Sequence, residues 1–214
     1  MRPQIFQVFS QRDWPGIGDI DDCWVLASLQ AVHTVAPWLK LPGVRFFREK
    51  ANKPDVQGQL DVGDEHDMVR GLQALYPTLE IEVIDGLPFP EFADLVKSGR
   101  PAALVVKAGD LPAAMQTTYK GIHAITVAFD DEKQEWLVAD PLARAHSKPV
   151  PIAQADLRKA VKGFKPNVHA VLMPTIERAL PTHELHQEQV DRLRQRIRNL
   201  KAKLAAAGLP DGDD

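Results

Sequence analysis

Two apolar segments, "GIHAITVAF" and "EWLVADP", flank the polar stretch "DDEKQ", and no other feature constrains the fold as strongly. Segments of this length and composition, joined by a short charged turn, read as two strands of one hairpin. Paired antiparallel strands return to the same end of a sheet. The residue that closes the second strand therefore comes close to the one that opens the first. Those residues are Asp140 and His123.

The remaining patterning supplies the rest of the architecture. "IFQVF" at 5–9, "LEIEVID", "PAALVVKA" and "NVHAVLMP" read as further strands. Helices are expected over "GVRFFREKAN", from about Asp64 to Leu75, over "PFPEFADLVKSG" and over "PIAQADLRKAVKGF", while "LPAAMQTTYK" fits either type. Helices come early and strands cluster late, which points to an α+β domain rather than a doubly wound sheet. That domain is expected over residues 1–175.

The chain carries one cysteine, Cys23, in "GDIDDCWVLASLQAVH". Val25, Leu26, Leu29 and Val32 recur at helical spacing, Asp19, Asp21 and Asp22 suit an N-cap or first turn, and Pro37 stops the helix. Cys23 thus belongs to the first turn of a mostly buried helix. A helix N-terminus lowers a thiol's pKa, and a neighbouring imidazole lowers it further. Seven histidines are available. His33 lies too far down the same helix, His66 and His146 lie in polar stretches, and His183 and His186 lie near the C-terminus. His123 and His169 remain, each within a strand. The strand after His123 ends in a carboxylate, Asp140, placed to orient its ring as a base requires, and His169 has none following it in this way. The set Cys23, His123 and Asp140 therefore reads as a thiol, a base and an orienting acid.

Composition bounds the alternatives. A net charge of −3 gives no bulk attraction to nucleic acid. One cysteine excludes an internal disulfide and fits synthesis in a reducing cytosol. The first residues lack the apolar core of a signal peptide, and no apolar run approaches the roughly 20 residues that span a bilayer. A metal site built from the aspartates with His66 or His123 finds no support in ligand spacing, and no cofactor motif is present.

At these residues the chain resembles the papain-like cysteine peptidases. "GDIDDCWVLASLQAV" is similar to the "GDCWLLA" helix start of calpains, and "GIHAITVAF" followed by "WLVADP" is similar to the late strand pair that completes such sites. Over about residues 10–175 the chain more closely resembles a group of bacteriophage proteins known as C39-like or papain-like peptidases and often encoded near tail genes. "DIDDCWV", "GQLDVGDEHDMVRGL", "GRPAALVV", "KGIHAITVAFDD" and "VADPLAR" carry that resemblance. It implies a papain-like fold, Cys23 as nucleophile, His123 as base and Asp140 as the orienting residue. It also implies an amide substrate, a host cell-wall peptide or a virion protein, and a place in the phage tail after synthesis in the host cytoplasm.

One position departs from the pattern. Six residues before the cysteine, papain-like peptidases carry a glutamine that helps bind the oxyanion; here that residue is Ile17. The backbone N–H of Cys23 remains as a donor. Asp19, if protonated, and Gln11, if its loop folds back, are the side chains left to supply a second. Loss of one such donor typically costs about 3 kcal/mol of barrier. The three aspartates also oppose a negative charge on Cys23. A docking protein that keeps the peptidase fold without its activity is therefore the competing reading.

Beyond a linker at 176–183 the texture changes. Val190, Leu193, Ile197, Leu200 and Leu204 step by three and four, with Arg and Lys between them, as in a heptad seam. This pattern predicts a C-terminal coiled-coil or anchoring helix over 184–206, followed by a disordered acidic tail at 207–214. Its expected partner is a second copy or another virion protein, since about three heptads are marginal alone.

Overall fold

The computed structural model describes residues 23–39, 65–115, 119–143 and 148–172 of the chain. The expected strand at 5–9, the helix over "GVRFFREKAN", the residues Gln11, Ile17 and Asp19, the linker at 176–183 and the seam from Val190 to Leu204 lie outside these residues. All described residues belong to one compact unit, Met1–Ala179.

In chain order the elements are α1 (Cys23–Val35), α2 (Glu65–Leu75), β1 (Glu82–Leu87), α3 (Phe89–Lys97), β2 (Ala102–Lys107), β3 (Ile122–Asp130), β4 (Glu135–Ala139), β5 (Val150–Ile152), α4 (Gln154–Lys162) and β6 (Val168–Leu172). A short 3-10 turn at Ala113–Met115 falls within the ambiguous "LPAAMQTTYK" segment, whose residues 116–118 lie outside the described residues, and another at Ala108–Asp110 lies just before it. The strands form one six-stranded sheet in the order β1-β6-β2-β3-β4-β5, with every neighbouring pair antiparallel. The mixed helix and antiparallel-sheet class expected from the element order is observed.

Helices cover both faces of the sheet. On one face Phe89, Phe92 and Val96 of α3 and Leu157 and Val161 of α4 pack with Leu104, Val106, Ile125, Val127 and Ala170. These helix positions recur at three- and four-residue spacing, the stripe that a one-sided helix must bury. On the other face Val25, Leu29 and Val32 of α1, with Met68 and Leu72 of α2, pack with Ala103, Ala124 and Val171. Covering both faces explains why β2 and β3 read as continuous apolar runs rather than alternating ones.

The two faces differ in side-chain size. The α1 face of the sheet offers Ala103, Ala124 and Thr126, and α1 answers with Ala27, Ser28 and Ala31, all buried. Small residues on both sides let helix and sheet approach closely. Every residue of α1 from Val25 to Val35 except His33 is buried. The Thr126 hydroxyl donates to the Ala27 carbonyl at 2.7 Å and ties β3 to α1.

Two expectations are corrected. The segment "PIAQADLRKAVKGF" does not form a helix throughout: its first residues belong to the edge strand β5, paired with β4 through Trp136–Ile152 and Val138–Val150. Proline lacks the N–H of an inner strand but fits an edge, as Pro151 does here. The strand expected over "LEIEVID" runs later, to Leu87, because a bulge between Asp85 and Leu87 carries it past Gly86 at φ +84°. That backbone region is open to glycine at little cost.

Candidate active site

Asp140 directly follows β4. The register Thr126–Ala139 between β3 and β4 brings it back to the His123 end of the hairpin. His123 Nε2 and Asp140 Oδ1 lie 2.7 Å apart, and both side chains are buried. Asp140 is itself held in place: its Oδ1 accepts the Leu142 N–H at 2.8 Å, and its backbone carbonyl accepts the Ala143 N–H at 2.9 Å. The carboxylate is therefore fixed before it meets the ring.

Cys23, the first residue of α1, is half-buried and reduced, and it hydrogen-bonds the same imidazole. With Nε2 occupied by Asp140, Nδ1 is the ring atom left for the sulfur. As the first residue of α1, Cys23 keeps its backbone N–H outside the helix's own hydrogen-bond ladder. The structure thus brings together Cys23, His123 and Asp140 from one helix and two paired strands.

Electrostatics follow from this arrangement. Burial opposes a charge on His123, but hydrogen bonds to Asp140 and Cys23, with the negative charges of both, outweigh it and raise the ring to about 9. Near neutral pH the ring is therefore an imidazolium, held by the Asp140 carboxylate.

Tyr119 lies against the site without being marked by any sequence pattern. Its ring meets that of His123 nearly edge-on, at 73° and 6.2 Å between centroids. Its hydroxyl donates to the Ile122 carbonyl at 2.9 Å.

Among the described residues, the other histidines lie elsewhere. His33 is in the last turn of α1, where burial lowers its pKa despite a backbone bond at Pro37. His66 is exposed on α2. His169, on β6, pairs with Asp85 of β1 at 3.1 Å, stacks with Trp24 at 6.3 Å and meets the Phe164 ring edge-on at 5.9 Å. Among the described residues no three His, Cys, Asp or Glu side chains gather where a metal ion could sit, and no helix is long and apolar enough to cross a membrane.

No family model matches the sequence, and no curated protein matches it. Among solved structures, the chain is similar to a candidate C39-like peptidase from Bacillus anthracis. The identity is 14%, the TM-score 0.49, and the match covers 79% of this chain and 98% of that one. A likeness at that level says nothing about site chemistry, which rests on the positions of Cys23, His123 and Asp140 in this chain.

Proposed function

We propose that this chain is a papain-like thiol peptidase or amidase that works through an acyl-enzyme. The observation that carries the reading is His123, held at Nε2 by Asp140 and hydrogen-bonded to Cys23. The Cys23 thiolate attacks the amide carbonyl carbon. His123 gives its proton to the amide nitrogen as the C–N bond breaks, and the amine leaves. Water then attacks the thioester and loses a proton to the ring; the acid departs and the imidazolium–thiolate pair is restored. The N–H of Cys23 is the oxyanion donor at hand.

The test uses a peptide anilide. Release of the aniline, together with an acyl adduct on Cys23 seen by intact mass, is the expected result. No adduct and no cleavage would sink the enzymatic reading and leave the docking protein in its place.

That second reading has its own observation: Ile17 stands where the oxyanion glutamine is expected. In it the fold is a scaffold, and the seam Val190, Leu193, Ile197, Leu200 and Leu204 is the attachment to a second copy or a virion protein. The phage tail, the setting that the sequence resemblance implies, is common to both readings. Removal of residues 182–214 should leave circular dichroism of the domain unchanged while altering association by light scattering. Unfolding on truncation would place that segment in the domain's own core instead.

A further inference from the structure

We infer that Tyr119 is a positioning residue for His123: its ring seals the His123–Asp140 hydrogen bond from water, and the missing side chain of Gly121 is what lets it sit there. His123 is 2% exposed, whereas Tyr119, packed edge-on against it, is 44% exposed. The phenol is thus the outer layer over a buried ring. Two contacts fix it. The hydroxyl bonds the Ile122 carbonyl, one residue before His123. The ring also folds directly over Gly121, where an added Cβ would lie 2.5 Å from the phenol oxygen and 2.7 Å from Cζ. Gly121 cannot yield, because its carbonyl accepts the Ala108 N–H at 2.9 Å, next to the Lys107–Ile122 pair of the ladder. Gly121 has no left-handed φ, so its backbone suits any residue; only the phenol excludes a side chain there.

A sealed hydrogen bond keeps its strength because water cannot compete for either partner. The seal holds the imidazole in one orientation, with Nδ1 toward Cys23. Its value to catalysis rests on the thiol–imidazole reading above; the seal itself does not.

Proton NMR of the full chain in water tests both. The Nε2–H shared with Asp140 should give a downfield resonance in the wild type and in Tyr119→Phe, which keeps the ring. Tyr119→Ala and Gly121→Ala should each lose it by exchange with water. In the double variant Gly121→Ala should add nothing, since the atoms it strikes are gone. Cys23 alkylation by iodoacetamide should fall at least fivefold in both single Ala variants and be retained in Tyr119→Phe. A resonance that is missing from the wild type, or that survives in Tyr119→Ala, overturns the seal. So does Gly121→Ala damage that persists without the phenol. If the resonance behaves as expected while alkylation stays at the wild-type rate throughout, the seal stands and the thiol–imidazole reading falls.

Discussion

The hydroxyl of Thr126 donates a 2.7 Å hydrogen bond to the carbonyl of Ala27, a residue 99 positions earlier in the chain. Both groups are buried, and the bond joins the helix that opens with Cys23 to the strand that carries His123. Thr126→Val keeps the shape and removes the donor. It should cost about 1 kcal/mol of stability in urea denaturation, the usual net worth of such a bond. It should also slow Cys23 alkylation several-fold, because helix and strand lose their shared anchor. Unchanged alkylation would mean that packing alone sets the spacing.

Cys23 should be the most reactive group toward iodoacetamide near neutral pH, and His123→Ala should slow that reaction at least tenfold. Asp140→Asn should cost less, because the amide oxygen still accepts from Nε2–H. Second-order rates followed by intact mass give the answer. Equal rates in wild type and His123→Ala would show that the two side chains are uncoupled.

The choice between the two strand histidines has its own control. His169 is bound to Asp85 and stacked with Trp24, so His169→Ala should leave the Cys23 alkylation rate within about twofold of wild type. A loss as large as that of His123→Ala would make His169 the base.

His123 also links stability to pH. Its folded value, about 9, stands above the ordinary 6.5. Below about 6.5 the ring is protonated in both folded and unfolded chains, and the stabilising contribution is fully present. It is lost as pH rises through the folded value. The stability difference between wild type and His123→Ala should therefore be greatest near pH 6. By pH 10 it should shrink by on the order of 3 kcal/mol. A difference independent of pH would show that the ring is not held charged.

How much of this was legible in the sequence depends on which interactions are local. The His123–Asp140 pair was readable because a hairpin's geometry follows from its turn, and Asp130 fixes that turn by accepting the N–H groups of Glu132 and Lys133 at 3.0 and 3.2 Å. The helix of Cys23 was readable from its period. The strand β5 was not, since three residues containing Pro151 and running into a helix carry no alternation to detect. Nor was the place of β6 between β1 and β2, which depends on distant pairing. Tyr119 was invisible for a different reason: its seat is defined by atoms that Gly121 does not have.

That position of β6 between β1 and β2 bears on when the protein can come into being. Its Val171 packs in one cluster with Val25, Leu29 and Val32 of the Cys23 helix, and its register partners lie on β1 and β2. During translation the hairpin of His123 and Asp140 closes within its own stretch of chain, but the sheet stays split until Val168–Leu172 has left the ribosome. A nascent chain therefore carries its thiol on a helix without a finished floor. The setting of Cys23 against the sheet is therefore complete only once Val168–Leu172 has joined β1 to β2.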